Sequence, residues 1–390
     1  MFSSRLAFDL TPNRIAALRA RLSDEGVPID DLTESNPTRV SLSYPADLLD
    51  PLASTAALAY RPHPLGLLSA RAAVARDFVR RGLSVPVERI ALTSSTSEAY
   101  SMLFKLLCDG GDEVLVPAPS YPLFEFLARL DGVAVRSYRL DYHGEWAIDM
   151  DSVARATGPR TRAMVVVSPN NPTGSYLKRH ELDALVQHCR SHALGLIGDE
   201  VFADYALEVD LRRASPVLAQ RDVLTFSLGG LSKSVGLPQL KLGWIAGAGP
   251  DDLVGDAFAR LEIIGDTYLS VGTPVQEALA DLLERGADVR TQIRERIARN
   301  LETLREQVAG CDPATLLTTE GGWSAVVQVP ATRPEEALVL DLLECDHVLV
   351  HPGYFFDFPR EAFLVVSLLP RPETFDRAAA RVLARAEAAA

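Results

Sequence analysis

Apolar and polar positions change their period along the chain, and the changes mark its elements. Residues 11–25, TPNRIAALRARLSDE, predict a helix with Thr11 as N-cap and Pro12 at its first position. The next stretch, LTESNPTRVSLSYP, is rich in Ser, Thr, Asn and Pro and predicts an irregular loop. LLSARAAVARDFVRRG predicts another helix, closed by Gly82. From there short strand-like runs alternate with helical ones. RIALTSS, DEVLVPAPS, VAVRSYRL, TRAMVVVSPNNP, GLIGDEVF, DVLTFSL and LGWIAGA read as strands. TSEAYSMLFKLLCDGG, YPLFEFLARLDG and KRHELDALVQHCRSHAL read as helices between them.

Strand–helix alternation at this spacing implies βαβ units and a mostly parallel sheet. Continuous apolar runs such as AMVVV suit strands covered on both faces. Past about residue 285 the texture changes. A long charged helix, VRTQIRERIARNLETLREQVAG, leads into strands at SAVVQVP, VLVHPG and AFLVVSLL, an α+β arrangement. The expectation is an α/β three-layer sandwich with a mostly parallel sheet over residues 48–285. A smaller α+β domain is expected from 1–47 together with 286–390.

At 390 residues the chain is long enough for one large and one smaller domain. Its formal net charge of −13 argues against non-specific binding to nucleic acid. An anionic small ligand stays compatible with it, because a local site can be basic on an acidic protein. Cys108, Cys189, Cys311 and Cys345 are far apart with no C-x-x-C pair, so scattered reduced thiols are expected and no metal site. Charges at Arg5, Asp9 and Arg14 interrupt the start of the chain, which lacks a secretory h-region. No run approaches the roughly 18 apolar residues of a membrane span. A cytoplasmic enzyme is the default expectation.

Ligands of open α/β sheets lie beyond the carboxyl ends of the strands. The segments expected there are SSTSEA (94–99), PAPSYP (117–122), SPNNPTG (168–174), GDEVF (198–202) and SLGGLSKS (227–234). They bring small residues that open a helix, an aromatic ring, an amide, a carboxylate and a lysine. That set suits an anionic, aromatic cofactor that carries an aldehyde.

SPNNPTG, GDEVFADY and LSKSVGLPQLKLGW, in this order, resemble the fold-type-I pyridoxal 5'-phosphate enzymes, specifically the class I/II aminotransferases similar to aspartate aminotransferase. The resemblance covers roughly residues 30–385. It implies that Lys233 is the Schiff-base lysine and the base that moves the substrate α-proton. A snorkelling surface lysine is the plain alternative. Asp199 matches the carboxylate that keeps the cofactor's pyridine nitrogen protonated, since an opposite charge favours the charged form. Asn171 matches the amide that bonds the ring's phenolic oxygen, and Tyr121 the aromatic stacked on the ring. Ser95 and Thr96 match the phosphate cradle at a helix N-terminus. Tyr60, in YRPHPLG, matches a tyrosine that reaches the neighbouring subunit's cofactor phosphate, which implies a homodimer with shared sites.

Three positions depart from the family's pattern. Lys241 stands where a phosphate-binding arginine is usual, and a lysine brings charge without a planar fork. Phe202 stands where many members have a tyrosine that donates to the phenolic oxygen. In EAFLVVSLLPRP, Val365 falls where the arginine for the substrate α-carboxylate is usual, and Arg360 and Arg371 are out of register. Asn36, in the ESNPT loop, is the favoured replacement, with Asn171 and Arg371 as others. The expected activity is transamination between an amino acid and a 2-keto acid. The missing arginine keeps a lyase, decarboxylase or cyclase on the same scaffold as the alternative. A non-enzymatic cofactor-binding regulator is disfavoured by the full Lys/Asp/Asn/Tyr set.

Overall fold

The structure is a computed structural model that describes residues 2–214 and 216–388. Fourteen strands are found among these residues. They are β1 (Asp30–Asp31), β2 (Ile90–Thr93), β3 (Glu113–Ala118), β4 (Ala134–Tyr142), β5 (Trp146–Ile148), β6 (Thr161–Val167) and β7 (Gly195–Asp199). The rest are β8 (Thr225–Gly230), β9 (Gly243–Ala248), β10 (Thr315–Leu316), β11 (Ser324–Gln328), β12 (Val348–Leu349), β13 (His351–Pro352) and β14 (Phe363–Ser367).

Eight of them form the large sheet, in the order β2-β9-β8-β7-β6-β3-β4-β5. The run β8, β7, β6, β3, β4 is parallel, while β9, β2 and β5 pair antiparallel at the edges. The central strands are buried on both faces, as the unbroken apolar runs require: every residue of β7, β8 and β9 is buried. Helices Thr96–Leu107 and Asp251–Tyr268 cover one face, with Ala99, Leu103, Phe258 and Leu261 packed on Val114, Val165 and Ile245. Helix Arg179–His192 covers the other through Leu182, Leu185 and Cys189 against Leu115, Met164 and Leu196.

A four-stranded antiparallel sheet, β10-β11-β14-β13, lies toward the C-terminus. Its outer core joins Ile15, Leu22 and Leu32 from the N-terminal segment to Ile293, Ile297 and Leu301 of helix Ala287–Ala309. The N-terminal segment is stitched in by the parallel β1–β12 ladder, Asp30 opposite Val348.

Several expectations are corrected in detail. The first helix runs Arg14–Asp24, and its cap is Asn13, whose Oδ1 accepts from Ala16 N–H at 2.8 Å. Thr11 and Pro12 therefore lie outside it. The GDEVF strand ends at Asp199, because Asp199 Oδ1 turns back to accept from Val201 N–H at 3.2 Å. The short edge strand β5 and the long helix Asp251–Tyr268 were not foreseen.

Candidate active site

The chain order reverses at β3, with β4 and β5 to one side and β6 onward to the other. Such a reversal opens a crevice at the carboxyl ends of the strands. A cavity of about 190 Å3 lies there. Its lining includes Ser95, Thr96, Tyr121, Asn171, Asp199, Phe202 and Lys233. Seven of the residues singled out in the sequence thus share one cavity, although they come from segments up to 138 positions apart.

Strand register explains the convergence. Gly230 at the end of β8 faces Gly243 at the start of β9, and Gly243 faces Thr93 at the end of β2. Lys233 follows Gly230 by three residues, and Ser95 follows Thr93 by two. Gly243 keeps this corner open: a Cβ there would lie 3.1 Å from both the Ser95 carbonyl carbon and the Gly229 oxygen. Ser95 caps helix Thr96–Leu107, its Oγ accepting from Glu98 N–H at 3.1 Å. That leaves the first-turn N–H groups and the hydroxyls of Thr96 and Ser97 to an anion.

At the floor of the cavity Asp199 is 8% exposed. Tyr100 donates its hydroxyl to Asp199 Oδ2 at 2.9 Å. Burial pushes the Asp199 carboxyl up to about 6, and the Val201 N–H and Tyr100 hydroxyl pull the other way. Lys233 Nζ opens onto the same cavity, 4.6 Å from the centre of the Trp323 ring and 5.3 Å from that of Phe202. Burial pushes this amine down to about 8, with the Asp199 charge opposing the shift. A lysine with so low a proton affinity is a nucleophile near neutral pH. The Tyr205 hydroxyl donates to the Lys233 carbonyl and pins its short helix from below.

Across the cavity, Asn171 and Ser324 approach each other, Ser324 Oγ lying 3.5 Å from Asn171 Oδ1. Their segments are locked by a buried ion pair. Lys178 Nζ reaches both Glu320 oxygens at 2.6 Å, with the two side chains 3% and 8% exposed. Gly174, at φ +70°, permits the contact, since a Cβ there would lie 2.6 Å from the Gly321 oxygen. Tyr121 stands 38% exposed beside the opening, edge-on to Phe124 at 6.3 Å between ring centres.

Three candidates fall elsewhere. Asn36 is outside the lining, because its Oδ1 caps a 3-10 turn by accepting from Thr38 N–H at 3.0 Å and Oγ1 at 2.8 Å. Its neighbour Ser35 lines the cavity instead. Lys241 is exposed in a left-handed backbone conformation, φ +49°, and only the next residues, Leu242 and Gly243, touch the cavity. Tyr60 is 78% exposed and lines a separate cleft with Arg61, His63 and Tyr268. Val365 is buried in β14 opposite Val326, as its apolar surroundings demand. Arg360 lies over the Phe363 ring and Arg371 bonds the Ser41 hydroxyl, so neither replaces it.

Sequence reasoning did not single out Tyr100, Ser35, Trp323 and Ser324. Tyr100 carried a signal: it lies four residues after Thr96, on the same face of a helix that opens at the site. The other three depend on how the small sheet docks, which no local pattern encodes.

The family model for aminotransferases of class I and II matches residues 45–382. The chain belongs to this family. It is 28% identical over 364 residues to the glutamate-pyruvate aminotransferase AlaA of Escherichia coli, covering 91% of this chain and 90% of that protein. It is 29% identical over 369 residues to an alanine aminotransferase of Mycobacterium bovis, covering 90% and 84%. A solved Escherichia coli aminotransferase superposes with a TM-score of 0.86 at 26% identity, covering 98% of this chain and 96% of that one. The chain is thus a pyridoxal-phosphate-dependent aminotransferase that acts on amino acids and keto acids. The lyase, decarboxylase or cyclase alternative is not favoured by these relatives. Among the described residues, no helix is long and apolar enough to cross a membrane.

The cavity fits the cofactor on its own chemistry. Among the described residues the buried Asp199 carboxylate takes hydrogen bonds only from neutral donors, so a protonated ring nitrogen opposite it would be stabilised. An amine of lowered proton affinity stands ready for an aldehyde, and a twelve-residue helix points its N-terminus at the corner where a phosphate would sit.

Proposed function

We propose that this aminotransferase holds its cofactor through Lys233 and exchanges amino groups between small 2-amino acids and 2-keto acids, with glutamate and pyruvate as the first pair to test. The observation that carries the assignment is the convergence of half-buried Lys233 and buried Asp199 on one cavity, with their proton affinities displaced toward each other. The names of the relatives in Escherichia coli and Mycobacterium bovis support the substrate pair.

When bound, pyridoxal phosphate supplies an aldehyde that accepts the amino group and a ring that draws electrons from the substrate's α-carbon. Asp199 holds a proton on the ring nitrogen, which strengthens that withdrawal. Tyr100 holds the Asp199 carboxylate in place for this. Ser95, Thr96 and Ser97 receive the phosphate at the helix N-terminus. Asn171 would donate to the phenolic oxygen, and Tyr121 would cover one face of the ring. The Lys233 amine, with its lowered proton affinity, would take and return the substrate's α-proton.

Lys241 adds positive charge at the rim and is a second-line phosphate partner. Tyr60, exposed at the separate cleft, is placed to serve a second copy of the chain, and we propose a homodimer on that ground. In this reading residues 48–285 carry the cofactor, and 1–47 with 286–390 carry Ser35, Trp323 and Ser324 to the substrate.

The test is a half-reaction. Holoenzyme mixed with L-glutamate or L-alanine should convert to the amino form of the cofactor and release the matching keto acid. The absence of keto acid from either donor would reject this substrate pair.

A further inference from the structure

The cavity must accommodate the substrate's carboxylate, yet its lining has little to offer a negative charge. Among the described lining residues the one cation is Lys233, which is committed to the amino group. The guanidinium groups nearby are engaged or turned away. Arg296 donates to the carbonyls of Val40 and Leu369, Arg371 to Ser41, and Arg39 is exposed, 4.0 Å from Glu34. β14 presents Leu364, Val365 and Val366, all buried.

Neutral donors are present on one wall. Among the described residues Ser324 Oγ has a single partner, the 3.5 Å contact to Asn171 Oδ1, at the long limit for a hydrogen bond. With Asn171 Oδ1 on the Ser324 hydroxyl, the Asn171 NH2 is left to donate to a ligand. Ser35 belongs to the same wall. The Ser367 hydroxyl donates to the Glu34 carbonyl at 2.7 Å, and Ser367 faces Ser324 across the β11–β14 ladder. Ser35, Asn171 and Ser324 therefore converge on the cavity from three segments, and among the described residues their side chains share only the long Asn171–Ser324 contact.

We propose that Ser324, with Asn171 and Ser35, forms an uncharged seat for the substrate's carboxylate, and that the enzyme consequently accepts an α-carboxamide nearly as well as the acid. This rests on the aminotransferase reading above and deepens it. The reason is the donor inventory. A guanidinium has donors only, so the NH2 of a carboxamide meets N–H groups and one bond is lost. A serine hydroxyl both donates and accepts, so Ser324 and Ser35 can reverse their roles to suit an NH2. A neutral seat thus binds the acid less tightly and discriminates less.

The experiment compares L-alanine with L-alaninamide, and L-glutamate with its α-carboxamide, as amino donors to the holoenzyme. The kcat/KM of each amide is expected within about tenfold of its acid, the scale of one neutral hydrogen bond. Ser324→Ala is expected to raise KM for acid and amide alike by about five- to tenfold with kcat nearly held. A larger loss on the amides would overturn the proposal, because a charged clamp must then reach the carboxylate. An unchanged KM in Ser324→Ala would remove Ser324 from the seat. If neither acid nor amide donates an amino group, the substrate assignment fails, and this inference falls with it.

Discussion

Tyr100 and Asp199 meet at the floor of the cavity, the hydroxyl donating to Oδ2 at 2.9 Å from a helix whose own N-terminus faces the phosphate end. One helix thereby serves two parts of the cofactor site. The bond stabilises the charged carboxylate against a burial that pushes it up to about 6. Tyr100→Phe should therefore raise the Asp199 proton affinity further and weaken cofactor binding. A bond to a buried charge is worth about 1.5–3 kcal/mol, so the cofactor Kd should rise roughly ten- to a hundredfold. The rise should be steepest as the pH falls toward 6. A fluorescence titration of the cofactor-free variant across pH measures it. Asp199→Ala should go further and slow α-proton exchange in labelled water by several kcal/mol of barrier, about the scale for preorganised electrostatic partners.

The cofactor-free protein should show two opposite pH slopes. An ordinary lysine titrates near 10.5, and Lys233 is pushed down to about 8. Between those values the unfolded chain holds the extra proton, so stability rises with pH across this window. Asp199 is raised from 3.8 to about 6, so there the folded chain holds the extra proton and stability falls as pH rises from about 4 to about 6. Urea unfolding at a series of pH values reads both. Lys233→Met should flatten the alkaline slope and, by removing a positive charge that lowers the Asp199 carboxyl, extend the acidic fall to higher pH.

Much of this site was legible because its chemistry is concentrated in short segments at strand ends. Lys233, Asp199, Asn171, Tyr121, Ser95 and Thr96 each follow a run that buries itself in the sheet, and register does the rest. Asn36 was misplaced by one position. Pro37 and Thr38 draw its amide into a cap, and Ser35 is left to face the cavity. Trp323 and Ser324 were illegible for a different reason. They reach the site on a segment held by long-range contacts, Glu320 to Lys178, 142 positions away, and Gly321 against Gly174, and no local pattern announces such pairs.

That anchor is testable. Lys178→Met takes from buried Glu320 its close cation and leaves it only Arg213 at 4.0 Å, so the loss should approach the roughly 3–5 kcal/mol typical of a broken buried pair. The double variant Lys178→Met with Glu320→Leu should recover part of this loss, because no charge is then stranded. Denaturant midpoints of the single and double variants report it. A midpoint unchanged in Lys178→Met would show that the pair does not hold the segment.

Phe202 lies beside the Lys233 amine, 5.3 Å from ring centre to Nζ, and offers no hydroxyl. Phe202→Tyr would place a donor near the cofactor's phenolic oxygen and compete for its lone pairs. The pH midpoint of the bound cofactor's absorbance should consequently fall. A rise, or no change, would place Phe202 away from the ring.

The chain has four lysines, and the structure separates them sharply. Lys105 pairs with Asp131 on the surface, Lys178 is sealed against Glu320, Lys241 is exposed, and Lys233 alone among them lines the cavity. Borohydride reduction of the holoenzyme, followed by peptide mapping, distinguishes them in one measurement. A pyridoxyl group is expected on Lys233 and on no other lysine. A label on Lys241, Lys178 or Lys105, or an enzyme that retains a reducible cofactor in Lys233→Ala, would contradict it.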